Sequence, residues 1–324
     1  MMLQKAIAYG FTLCALALAV VSFNVYAEAT KLRIGVQASG TAEWELAEIA
    51  SMPHPEFELD KQVLASPEAG KIALQSGGVD IIISDWLWVN RQRASGMELT
   101  FYPYSDMTGA LLVKAGSEIH SLTDLSGKKL GIAGGELDKN WLLLQALAQK
   151  QGIELAEKVE KIYAAPPLLN EQIKQGRIDA ILTYWNFAAK LEAQGYQALM
   201  TGKEIQQGLG ISEPVPSLGY VFKQSWAKQH TAALQSFFAA THKAKDQLCT
   251  DDKAWQKVLP LTQTEDVATQ QKLRQRYCEG RVEQWGDAEQ QAAQQIYHVL
   301  YETSHGQLTG SSQQIQADTF WTQP

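Results

Sequence analysis

Positive charge is scarce in this chain: 28 lysines and arginines stand against 35 aspartates and glutamates, for a formal charge of −7. The basic residues gather into no stripe, which argues against nucleic acid or an anionic membrane surface as partner. Catalytic signatures are missing as well. The sequence has no GxSxG, GxxxxGK[ST], GxGxxG or HExxH, and its six histidines lie scattered at 54, 120, 230, 242, 298 and 305. Two S-x-x-K matches, at Ser126 and Ser225, lack the SDN and KTG elements that would give them meaning. No catalytic residue, metal site or cofactor is therefore expected. Long apolar runs are absent beyond the first residues, so nothing after them is expected to span a bilayer.

Those first residues read as an export signal. Lys5 supplies the positive start, residues 13–21 are uninterruptedly apolar, and Val25-Tyr26-Ala27 closes on a small-residue cleavage pattern. The run is shorter than the roughly 20 residues a membrane span needs, which disfavours the alternative of a retained anchor. Cleavage after Ala27 removes Lys5 and takes the formal charge from −7 to −8. The mature chain, from Glu28, would then sit in an oxidising compartment, the periplasm. Cysteine is rare too, with three in all. Two survive cleavage, Cys249 and Cys278, and export makes a structural disulfide between them the expectation, with two separate thiols as the alternative.

Past the leader, the order is strand, helix, strand, helix. Residues 31–37, KLRIGVQ, alternate apolar and polar side chains. ASGTAEWELAEIA follows, with Ser39 or Thr41 as helix cap and Trp44, Leu46 and Ile49 roughly along one face. FELDKQVLAS is a second strand region, and SPEAGKIALQSGG a short helix with Pro67 near its start. This alternation favours parallel sheets. It restarts at 125–150, LSGKKLGIAGGELDKNWLLLQALAQK.

A repeat lies beneath the restart. Residues 74–88, LQSGGVDIIISDWLW, align without a gap on 173–187, IKQGRIDAILTYWNF, at a constant offset of 99. Gly77 falls on Gly176, Asp80 on Asp179, Ser84 on Thr183 and Trp86 on Trp185. Each half therefore runs helix, glycine turn, apolar strand, then a hydroxyl and a tryptophan beyond the strand end. In open parallel sheets ligands bind in the crevice outside those ends. Trp86 and Trp185 would then face one bound molecule from two sides, or else cap the apolar layer of each half. Trp88 and Phe187 read as core.

In this order, KLRIGVQASGTAEWELAEI, ALQSGGVDIIISDWLW, DLSGKKLGIAGGELDKNWLLLQAL and APPLLNEQIKQGRIDAILTYWNFAAKLEAQG resemble the periplasmic solute-binding proteins of the nitrate/sulfonate/taurine (NMT1/THI5-like) group, which includes thiamine-pyrimidine binders. The resemblance runs to about residue 280. It implies an α/β, two-lobed periplasmic-binding-protein (type II) fold, each lobe a mostly parallel sheet flanked by helices, joined by two crossing strands near 101–113 and 216–226. Lobe 1 would comprise 28–105 plus 223–324, with the helical tail packed mainly on it; lobe 2 would comprise 106–222. The Gln-rich end departs from simpler relatives. The resemblance also implies a small-molecule ligand, an inner-membrane ABC permease with its ATPase as partners, and a monomer.

The ligand positions it implies are Ser39, Gly40, Thr41 and Trp44, then Ser84, Asp85 and Trp86, with Thr108 and Gly109 at the crossing. Lobe 2 adds Gly134, Gly135, Lys139 and Asn140, the turn at 165–167, and Tyr184, Trp185 and Asn186. Glycine turns that open helices favour an anionic group. Asp85 pulls the other way, toward an amine or ring N–H, unless it merely caps the helix after it. Indole faces suit a flat ring or an alkylammonium. A small organic solute of the sulfonate, taurine, nitrate or pyrimidine-like class is expected, captured by lobe closure. The same fold serving a periplasmic accessory or sensor is the alternative.

Overall fold

The computed structural model describes residues 29–37, 40–54 and 56–322. The leader 1–27 and the candidate Ser39 lie outside them. Among the described residues no helix is long and apolar enough to cross a membrane.

Among the described residues ten strands form two five-stranded sheets. The first holds β1 (Thr30–Gln37), β2 (Phe57–Leu64), β3 (Ile81–Ser84), β4 (Leu99–Ser105) and β10 (Leu218–Lys223), in the order β2-β1-β3-β10-β4. The second holds β5 (Ala110–Lys114), β6 (Lys129–Ala133), β7 (Glu160–Ala164), β8 (Ala180–Thr183) and β9 (Tyr196–Thr201), in the order β7-β6-β8-β5-β9. The two orders are the same pattern. In each, the first three strands pair in parallel and the fourth runs antiparallel to both neighbours. That fourth strand, β10 or β5, is supplied by chain arriving from the other sheet. The first sheet thus takes up the chain from Leu218, and the expected boundary at 223 falls at the last residue of β10.

The 99-residue repeat has a backbone explanation. Asp80, ahead of β3, accepts from the Arg33 amide (3.0 Å) and guanidinium, while its own amide donates to the Arg33 carbonyl. Asp179, ahead of β8, accepts from the Lys129 amide at 2.7 Å and donates back in the same way. One aspartate in each half thereby pins the start of a central strand to its neighbour.

The tail departs from expectation. Helix Val267–Glu279 packs on Trp185–Glu192, and helix Asp287–Thr303 packs on Lys139–Lys150, both elements of the second lobe. Ala292, Ile296, Tyr297 and Leu300 carry one apolar core from Trp86 and Leu87 across to Trp141 and Leu144. The last turn of chain returns to the first lobe. The amide of Phe101 in β4 donates to the Thr319 carbonyl and that of Trp321 donates to Phe101, which covers a sheet edge. The tail therefore spans both lobes instead of sitting mainly on one, because its amphipathic helices find apolar partners on each.

Cys249 and Cys278, on helices Thr231–Thr250 and Val267–Glu279, form a disulfide closing 29 residues.

Candidate functional site

The crossings come first. Between β4 and β5 the chain passes through Asp106, Met107, Thr108 and Gly109; before β10 it passes through Glu213, Pro214 and Val215. These two segments border a cavity of about 610 Å³. Trp185, Ala188 and Glu192 on helix Trp185–Glu192, Lys203 and Gln206 on helix Gly202–Leu209, and Arg276, Glu279, Arg281, Glu283, Gln284 and Glu289 of the tail also line it.

Gly109 sits so tightly under the second sheet that a Cβ there would lie 2.3 Å from the Thr183 carbonyl oxygen. Its amide donates to Asn140 Oδ1 at 3.2 Å, so Asn140 fixes the crossing. On the rim, Arg276 bonds Glu192 through Nε (2.9 Å) and Nη2, and Glu279 through Nη1 (2.9 Å). That pair ties the tail to the second lobe.

Behind the cavity lies a buried ionic cluster. Glu45, wholly inaccessible, accepts from Tyr220 (2.8 Å) and Tyr277 (2.9 Å), with Lys245 Nζ 3.6 Å away. Burial raises the pKa of Glu45, against the pull of Lys245 and the tyrosine hydroxyls. Lys245 also donates to the Tyr104 carbonyl and lies 4.0 Å from the centre of its ring. Asp106, between this cluster and the cavity, is pushed up to about 7 by burial and by Glu283 and Glu289, against Lys245 and Lys203. Its Oδ1 has neither solvent nor a donor.

Of the residues expected at a ligand, Thr108, Gly109 and Trp185 line this cavity. The others do different work. Trp86 is a correction: only 3 % exposed, it donates to the Pro216 carbonyl (3.0 Å) and packs against Tyr297 and Phe320 of the tail. Trp44 is likewise core, 3 % exposed, edge-on to Trp185 and Trp255 and donating to the Leu261 carbonyl. Ser84 is buried at the end of β3, opposite Gly219. Thr41 bonds the Tyr104 hydroxyl at 3.2 Å, and the amide of Gly40 donates to Gln37.

Asp85 caps helix Trp86–Ala94 by accepting from the Trp88 amide (2.9 Å), and it also meets Lys139 of the other lobe at 3.9 Å. Burial opposes its charge, but Lys139 and the Trp88 amide outweigh it and hold the carboxyl below its usual range. Where the strand ends of the two sheets meet, this pair spans the gap. Gly134 takes φ +90°, and a Cβ there would lie 2.4 Å from the Tyr184 hydroxyl, so only glycine fits beside that ring. Beside it burial and the Asp138 carboxylate raise the pKa of Tyr184, and Asp138 caps helix Lys139–Lys150. Gly135 continues the turn, the 165–167 turn opens helix Pro166–Lys174, and Asn186 is half-buried without lining the cavity.

Asp106, Lys245, Glu45 and Arg276 gave no warning in the sequence, since their neighbours come from separate segments. Among the described residues no group of three or more His, Cys, Asp or Glu side chains could hold a metal ion.

Comparison with known proteins decides the family. The model of the NMT1/THI5-like family matches residues 60–254, more than half of the 324. The chain belongs to the NMT1/THI5-like family. No curated protein matches this NMT1/THI5-like chain in sequence. Its fold is that of the periplasmic aliphatic sulphonate binding protein SsuA from Escherichia coli (18 % identity, 90 % of this chain and 92 % of that one, TM-score 0.70). It is similar as well to the alkanesulfonate-binding SsuA from Xanthomonas axonopodis pv. citri, bound to MOPS (18 %, 91 % and 99 %, 0.67). An ABC transporter structure from Parabacteroides distasonis matches over 91 % and 100 % with a TM-score of 0.71 at 12 % identity.

Proposed function

We propose that this NMT1/THI5-like protein is the periplasmic solute-binding component of an ABC importer. On this reading residues 1–27 export it and are removed, and it works as a monomer that presents a small solute to an inner-membrane permease and its ATPase. The observation that carries the reading is the position of the cavity: both connections between the sheets, 106–109 and 213–215, form its wall. A molecule held there touches the second lobe, the tail and the two segments that must bend if the lobes part, so it stabilises one lobe arrangement through differential contacts. Its volume falls within the range of small-molecule pockets, ~300–1,000 Å³. The kinship with sulphonate-binding relatives supports capture of a small organic solute.

The test is mass spectrometry, under native conditions, of the protein taken from its host's periplasm, followed by titration of the retained molecule. A retained solute that shifts tryptophan emission and raises the melting temperature is expected. A purified protein that retains nothing, and whose emission no periplasmic extract alters, would remove the proposal.

A further inference from the structure

We infer that the solute held between the crossings is an organic cation, an ammonium on a small apolar frame; this rests on the solute-binding reading above. The wall of the cavity is short of positive charge. Asp106, Glu192, Glu213, Glu279, Glu283 and Glu289 face Lys203, Arg276 and Arg281. Two of the three bases are already engaged. Arg276 is taken up by Glu192 and Glu279, and Arg281 pairs through Nη1 with Asp246 outside the cavity, at 2.8 Å, while its Nε has no partner. Glu289 accepts from the Gly286 amide.

Among the described residues Asp106, Glu213 and Glu283 form no ion pair; Lys203 is the remaining base on the wall, and Lys245 acts on Asp106 from outside it. Asp106 Oδ1 and Arg281 Nε on this wall are both closed to solvent and without a hydrogen-bond partner, so what a solute meets is the charge of the wall and not an open acceptor. A sulfonate or nitrate would bring more negative charge among unpaired carboxylates. An ammonium brings the opposite charge. Trp185 on the same wall adds an aromatic residue of the type that attracts cations through its ring quadrupole.

The arrangement also makes capture sensitive to protons. The groups facing Asp106 are Lys245 from helix Thr231–Thr250, Lys203 from helix Gly202–Leu209, and Glu283 and Glu289 from the tail, and with burial they place its pKa at about 7. A carboxylate raised in this way is ionised at pH 8 and largely protonated at pH 6. A bound cation favours the ionised form, so affinity for it falls as pH drops across that window.

The experiment uses the mature protein and four probes, choline and 1,4-diaminobutane as cations, ethanesulfonate and nitrate as anions, by calorimetry and thermal melting at pH 8 and pH 6. A cation is expected to bind at pH 8, at least tenfold more weakly at pH 6, and at least tenfold more weakly to Asp106→Asn. The Glu283→Gln variant, changed at an exposed position, guards against a misfolded Asp106→Asn and should weaken the cation in the same direction. Binding of an anion with both cations inert overturns the charge assignment while leaving solute capture intact. Cations that bind both folded variants as well as the parent overturn it too. If no probe binds, the molecule retained in native mass spectrometry decides: a cation supports the inference, an anionic or neutral solute overturns it. Retention of nothing at all removes the solute-binding reading on which it rests.

Discussion

Trp86 and Trp185 occupy equivalent places, each the first residue of a helix that follows a central strand, and they have different fates. Trp185 stays half-buried on the wall of the cavity, whereas Trp86 is sealed by Tyr297 and Phe320. The elements that make the halves alike, Asp80 and Asp179, act on the backbone at the opposite ends of the same strands. What makes the halves unlike is a tail that covers one strand end more completely than the other. Repetition in this molecule preserves the frame, and asymmetry in what lies over the frame leaves one half with an accessible aromatic wall.

The comparison can be broken most forcefully at Trp86. Replacing it with alanine should cost about 3–5 kcal/mol of stability, as for other buried aromatic residues, read as a lowered denaturant midpoint. A loss much below this range would place the indole somewhere looser than the interior. Next comes the disulfide. Serine at both Cys249 and Cys278 should cost about 3 kcal/mol, and treating the parent with reductant should reproduce it.

Asn90 is third. Wholly inaccessible, it donates to the Tyr297 hydroxyl (2.9 Å) and accepts from the Gln316 amide (2.6 Å). Asn90→Ala should cost about 1–3 kcal/mol and raise hydrogen exchange in residues 312–321 before the rest of the fold. Trp185→Ala sharpens the contrast in the other direction. It should lower solute affinity more than tenfold, about 1.4 kcal/mol, with a smaller drop in melting temperature than Trp86→Ala. Equal effects of the two substitutions on both readouts would erase the distinction between the halves. The smallest change is expected from Lys139→Ala, at most about 1 kcal/mol, because its partner Asp85 keeps the Trp88 amide and both side chains are partly wet.

Much of the frame was legible in the sequence. The strand–helix alternation, the 99-residue offset and the family resemblance are all local or periodic signals, and local signals survive without knowledge of packing. Trp86 could not be resolved that way. Its neighbours Tyr297 and Phe320 lie more than 200 residues along the chain, and DWLW reads the same whether or not a tail covers it. Asp85 illustrates the same limit more mildly. The cap role and the charge role stood as alternatives, and one carboxylate performs both, one oxygen toward Trp88 and the other toward Lys139. The acidic wall was hidden because its members are spread from residue 106 to residue 289 and meet only in space.

The placement of β10 has one more consequence. The first sheet takes its fourth strand, one place in from the edge, from chain that has already passed through the whole second sheet, whereas β5 to β9 follow one another without interruption. An N-terminal fragment ending at either connection would therefore carry an open slot in the first sheet, with unmatched amides and carbonyls on both flanks of the gap. A cell that synthesises this chain has every strand of the second sheet in hand before the first sheet can be finished, at residue 223.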